Sequence, residues 1–136
     1  MVLVAAILVQ VLWTLIVLVM LGRSRAAAVR AGQVKIPDVA LSSDAWPDRI
    51  KAIGNNYANQ FETPVLFYVL AGLALYLGAT HAGMALAAWI FVASRIGHTL
   101  VHTGGNRVML RFRIFLIGVA ALLAMWLMLA LRVAGI

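Results

Sequence analysis

Glu62 is the only glutamate in this 136-residue chain, and Arg95 is the only basic residue well inside an apolar stretch. A charge at mid-membrane costs about 2.5–3.5 kcal/mol on insertion scales, so such residues pair with one another and often mark function. Asn55, Asn59, Glu62 and Leu66 follow at spacings of four, three and four, which places them on one helix face. Arg95, His98 and His102 share a second face in the same way, and Arg107 and Arg111 come shortly after. Amides, a carboxylate, guanidinium groups and imidazoles gathered like this outline a polar pocket with cations at its mouth. Such a pocket suits a small, polar, anionic ligand, and an apolar co-substrate would enter sideways from lipid.

Other chemistries fit poorly. The chain has no cysteine, which excludes disulfides, thiolate metal sites and cysteine nucleophiles. His98 and His102 have the i,i+4 spacing of a metal pair, but two ligands are too few and no HExxH pattern appears, so no metal site is expected. There is no Ser–His–Asp arrangement, Gly-rich phosphate loop or paired-carboxylate motif, and Gly104-Gly105 reads as a turn. Structural roles stand beside the ligand-binding ones. Glu62 and Arg95 can lock two helices together, the histidines can be packing groups, and Arg107, Arg111 and Arg113 can anchor at lipid headgroups.

The elements that position these residues follow from composition. Hydrophobic residues make up 65% of the chain and charged residues 11%, against about 45–50% and about 25% in a soluble domain. Too few polar groups remain to cover a water-facing globule, and a disordered chain needs the opposite composition. The expected fold is an all-α integral membrane four-helix bundle, one domain over residues 1–136, with helices at about 3–21, 48–77, 84–101 and 107–132. Residues 3–21 are apolar apart from Gln10 and Thr14, with no basic residue before Arg23. That run is longer than the about 7–15 residues of a signal-peptide centre and reads as a retained transmembrane helix. Residues 22–50 read as a loop, marked by Gly22, Gly32, Pro37, Pro47 and three aspartates. The second helix has a polar half and an apolar half, and Pro64 between them should kink or loosen it.

Eleven Lys and Arg against four Asp and Glu would suit a nucleic-acid partner, but their positions give a different explanation. Arg23, Arg25, Arg30, Lys35, Arg49 and Lys51 lie in or beside the first loop, and Arg107, Arg111 and Arg113 flank the third. The opposite side carries only Arg132. The positive-inside rule therefore puts loops one and three in the cytoplasm and both termini outside, with no nucleic-acid partner. Anionic headgroups would add some attraction. By helical rise, Glu62 and Arg95 both lie roughly 10–12 Å below the cytoplasmic surface. A Glu62–Arg95 salt bridge, within or between subunits, is expected.

The segments NQFETP (Asn59, Glu62, Pro64), RIGHT (Arg95, His98) and NR (Asn106, Arg107), in that order and at those depths, resemble the MAPEG superfamily. That name covers membrane-associated proteins in eicosanoid and glutathione metabolism, among them microsomal glutathione transferases and the lipoxygenase-activating protein. The resemblance spans nearly the whole chain, and the small size resembles bacterial members, which implies a multi-pass protein of the bacterial inner membrane. It also implies a homotrimer, with glutathione as co-substrate between adjacent subunits near the cytoplasmic face. By that likeness Asn59 and Glu62 would hold the glutathione backbone and amino group, and Arg95 would form an ion pair beneath it. His98 would line the site, His102 and Arg111 would add binding contacts, and Arg107 would be the catalytic residue that stabilises the thiolate. A nearby cation in a partly dry site lowers a thiol pKa. Glutathione supplies the sulfur, so the absence of cysteine is no obstacle.

The chain departs from the family pattern at three places. Asn55 stands where catalytic relatives carry an arginine, one turn before Asn59. His102, and the stretch holding Phe112 and Phe115, stand where relatives carry tyrosines. The function expected is glutathione transfer to, or glutathione-dependent reduction of, hydrophobic electrophiles or lipid peroxides, with membrane lipids and a small hydrophobic substrate as partners. The alternative is a non-catalytic membrane protein of the same type that binds a lipid or a partner protein.

Overall fold

Helices in this protein stop at breakers, not where the apolar residues run out. In the computed structural model, which describes residues 1–135, α1 runs Val2–Arg30, well beyond the end of the apolar run at Leu21. The segment after Leu21, expected as loop, is rich in Ala and Arg, which are among the strongest helix formers. The helix carries Gly22 inside it and ends at Gly32, with φ 68°. There the Gly32 N–H donates to the Val29 carbonyl and the Gln33 N–H to the Ala28 carbonyl, both at 3.0 Å, closing a Schellman motif. At 29 residues, α1 is about 44 Å long against about 30 Å of hydrocarbon, so its last turns and their arginines extend beyond the lipid interior.

The second expected helix is composite and not one kinked rod over 48–77. It consists of α2 (Asp48–Ala58), a 3-10 turn at Asn59–Phe61 and α3 (Thr63–Tyr76). The break falls at Glu62, with φ −98° and ψ −99°. Pro64 is the physical reason, because it has no N–H to offer the Gln60 carbonyl and its ring crowds the preceding turn. The 14 residues of α3 give about 21 Å, too short to cross the hydrocarbon alone. A second Schellman motif at Gly78 (φ 65°) ends α3, with the Ala79 N–H donating to the Ala74 carbonyl at 2.8 Å. Next come α4 (Ala82–Thr103), whose first turn donates the Met84 N–H to His81 Nδ1, and α5 (Val108–Ala134).

Helices α1, α4 and α5 are each long and apolar enough to cross a membrane. Leu8, Leu12 and Leu15 on α1 and Leu123 and Leu127 on α5 face outward, as lipid contact requires. The described residues contain no strand. Two apolar clusters hold the bundle. The larger lies toward the termini and joins Phe67 and Ala71 of α3 to Met84, Ala88 and Phe91 of α4 and Leu122 and Met125 of α5. The smaller lies at the loop end, where Trp46 and Val34 of the first loop pack on Leu21, Ala28, Ile50 and Ile53. Between α4 and α5 the approach is close: a Cβ at Gly118 would sit 2.5 Å from Ser94 Oγ. This contact helps set α5 against α4, and hence Arg111 and Phe115 against the histidines.

Candidate functional site

A pocket of about 510 Å3 opens at the loop end among α2, the Asn59–Phe61 turn, α4 and the start of α5. That size suits a small molecule. Asn59, Glu62, Arg95, His98, His102 and Arg111, all expected from the sequence as ligand-binding residues, line this pocket together with Asn55, Ala58 and Phe115. Arg107 is not in its wall. It is the exposed residue that precedes the first turn of α5. Leu66 also parts company with Glu62, because the break at Glu62 turns α3 relative to α2 and sends Leu66 into a different cavity.

Arg95 is buried, and its Nη2 donates to the Asn59 backbone carbonyl at 3.0 Å. The expected Glu62–Arg95 bridge is not made within one chain. Among the described residues the salt bridge present is Lys51 Nζ to Asp48 Oδ1 at 3.5 Å. The break explains the difference: Glu62 leaves the helix and is exposed, while the 3-10 turn presents a backbone carbonyl to the guanidinium instead. Arg95 Nε stays buried without a partner.

His98 and His102, one turn apart on α4, are both buried and meet edge-on with ring centroids 5.6 Å apart. The Nδ1 atoms of both are buried and unpartnered. Phe115 lies 6.4 Å from the His98 ring. Arg111 is positioned by the loop before it, since its Nη1 donates to Asn106 Oδ1 at 2.9 Å and Asn106 holds a left-handed turn with φ 43°. No three His, Cys, Asp or Glu side chains among the described residues are placed to share a metal. The wall thus combines two guanidinium groups, one carboxylate, two amides and two imidazoles. This set matches a ligand that has both acidic and amino ends. A buried donor left unmatched costs about 1–3 kcal/mol, so the vacant Arg95 Nε favours a ligand that brings an acceptor, while each imidazole Nδ1 can donate or accept.

Behind the wall runs a buried polar network that the sequence reading left without a role. Gln10 Nε2 on α1 donates to Gln60 Oε1 at 3.2 Å, and Gln60 Nε2 reaches Asn56 Oδ1 and Thr99 Oγ1 at 3.4 Å each. Trp13 Nε1 donates to Thr99 Oγ1 at 3.1 Å, and that hydroxyl donates to the Arg95 carbonyl at 3.0 Å. The network ties α1 and the broken second helix to the turn of α4 that carries Arg95. A signal was present in the sequence, with Gln10 interrupting an apolar run and Gln60 and Thr99 inside the quoted segments. Which of these meet depends on how the helices cross.

A second cavity, an apolar groove of about 660 Å3, runs between α3 and α5 and is lined by Thr63, Leu66, Leu73, Val119, Leu123 and Trp126. It adjoins the polar pocket at two points. Thr63 follows Glu62 directly, and Val119 lies one turn, about 6 Å, beyond Phe115 on α5.

The family model described as the MAPEG family matches residues 3–131. No curated protein and no solved structure matches the chain.

Proposed function

The chain belongs to the MAPEG family, membrane proteins of the glutathione and eicosanoid metabolism type, and from that premise we propose that it is a glutathione-dependent transferase or peroxidase acting on hydrophobic electrophiles or lipid peroxides. The observation that carries this reading is one polar pocket, with vacant buried nitrogens, lying beside an apolar groove. In this reading Glu62 and Asn59 take the amino group and backbone of glutathione, while Arg95, His98, His102 and Arg111 take its acceptors. Arg107 at the mouth stabilises the thiolate, and the groove delivers the apolar partner. In transfer, the sulfur forms a C–S bond as the leaving group departs. In peroxide reduction, two glutathione thiols become one disulfide and the peroxide becomes an alcohol and water. The protein works as a homotrimer in a bacterial inner membrane, with loops one and three cytoplasmic and a neighbouring subunit closing the open side of each pocket.

A second reading, a non-catalytic module that binds a lipid or partner protein, draws on two observations. Asn55 occupies the wall where catalytic relatives carry arginine, and Arg107 lies outside the wall. Thermal unfolding of the detergent-solubilised protein with millimolar reduced glutathione, and oxidised glutathione as control, separates the two. A ligand at about 100 times its Kd adds about 2.7 kcal/mol, so a saturable rise specific to the reduced form is expected. No shift would favour the second reading. Arg107→Ala should then cut turnover by about 10²-fold or more with the assembly intact. Turnover that survives Arg107→Ala and collapses in Arg111→Ala would move the thiolate role to Arg111.

A further inference from the structure

Away from the pocket, Arg25 is built into the packing without a counter-charge. Its guanidinium carbon lies 5.3 Å from the centroid of the Trp46 ring. Its Nη2 is 3.8 Å from where a Cβ at Gly54 would stand, so the guanidinium lies in van der Waals reach of α2. Arg25 Nε is buried and has no acceptor, and no carboxylate among the described residues pairs with this arginine. The cavity beside it, about 300 Å3, is lined also by Lys51, Ser43, Asn55 and Trp46 and continues down to Leu18 and Leu21. The acidic partner of Lys51, Asp48, is fully exposed, and the Lys51 side chain remains 38% exposed.

We propose that this cavity binds the phosphate of an anionic phospholipid. A guanidinium presents a planar fork of donors that matches a phosphate, and the lysine, hydroxyl and amide beside it suit the remaining oxygens. Depth favours a lipid over a free anion. Arg25 lies one turn, about 6 Å, beyond Leu21, where the apolar run ends, which is headgroup level. Leu18 below it is exposed on the lipid-facing side of α1, so acyl chains can continue along the helix from the same cavity. Trp46 and Tyr57 supply the aromatic rings typical of that depth. The cavity shares Asn55 with the polar pocket, but its cations, Arg25 and Lys51, lie outside that pocket's wall, so the proposal stands whether or not the glutathione reading holds.

Native mass spectrometry of the full chain, released from micelles containing either phosphatidylglycerol or phosphatidylcholine, tests this. The protein should retain phosphatidylglycerol and release phosphatidylcholine. Lys51→Gln, a change at a half-buried side chain outside both apolar clusters, should lower phosphatidylglycerol retention about fivefold, the effect of one cation at a membrane surface. Arg25→Gln should lower it at least as much, and Arg132→Gln, at the other end of the bundle, should not change it. Equal retention of the two lipids would overturn the proposal, as would an equal loss in Arg132→Gln. Displacement of phosphatidylglycerol by millimolar inorganic phosphate would also overturn it, by making free phosphate the occupant.

Discussion

The two halves of the bundle solve opposite problems with the same helices. Toward the termini the interior is apolar: Phe67 and Phe91 stack at 4.8 Å, and Ala71, Ala74, Met84, Ala88 and Met125 fill in around them. The polar group at its border, Ser94, is tied to the Phe91 carbonyl at 2.6 Å. Toward the loops the interior holds Gln10, Asn56, Gln60, Arg95, His98, Thr99 and His102, all buried. Lipid is as apolar as leucine, so the apolar half is held by close packing and not by escape from water. A polar interior at this depth is expensive unless its groups are matched. In the loop half most are matched behind the wall, apart from Gln10 Oε1 and Asn56 Nδ2, while Arg95 Nε and the Nδ1 atoms of His98 and His102, all three residues of the pocket, are left vacant, as a binding site requires.

If that division holds, substitutions should separate stability from ligand binding. The largest effect belongs to the apolar half: Phe91→Ala should lose about 3–5 kcal/mol in unfolding titrations, with the glutathione concentration at half-saturation unchanged in whatever protein remains folded. A parallel loss of affinity would show that the halves are not independent. Gln60→Leu should cost less, about 1–3 kcal/mol from the donors and acceptors it strands, yet weaken ligand binding through the turn that carries Asn59. Its coupling to Gln10→Leu in a double-mutant cycle should be about 0.6 kcal/mol, the usual size for such contacts in membrane helices. Simple additivity would mean that the 3.2 Å contact contributes nothing. The smallest effect is expected for Glu62→Gln, within about 0.5 kcal/mol, because Glu62 is exposed and unpaired within its own chain. A loss of about 3–5 kcal/mol there would instead place Glu62 against a buried cation of a neighbouring subunit.

How much of this was legible beforehand differs from residue to residue. Asn59, Glu62, Arg95, His98, His102 and Arg111 were singled out because charge and amide groups are conspicuous in an apolar chain, and helical spacing groups them without any knowledge of packing. The far end of α1 was misread because Arg residues look like loop to a hydropathy argument, whereas helix propensity carries them on to Gly32. Leu66 was misplaced because an unbroken 3.6-residue period was extended through Pro64.

The amino-acid sequence by itself determined the medium and the polar residues that converge near the loops, since each follows from composition or from local periodicity; of the four helices expected, three are long and apolar enough to cross a membrane. Tertiary structure alone decided that Arg95 takes the Asn59 carbonyl in place of the Glu62 carboxylate. It also decided that Gln10, Gln60 and Thr99 meet behind the pocket, and that Arg111 enters the wall while Arg107 does not. These outcomes depend on a break of a few backbone angles and on how helices cross. Partners distant along the chain carry no mark in the sequence of which of them will touch.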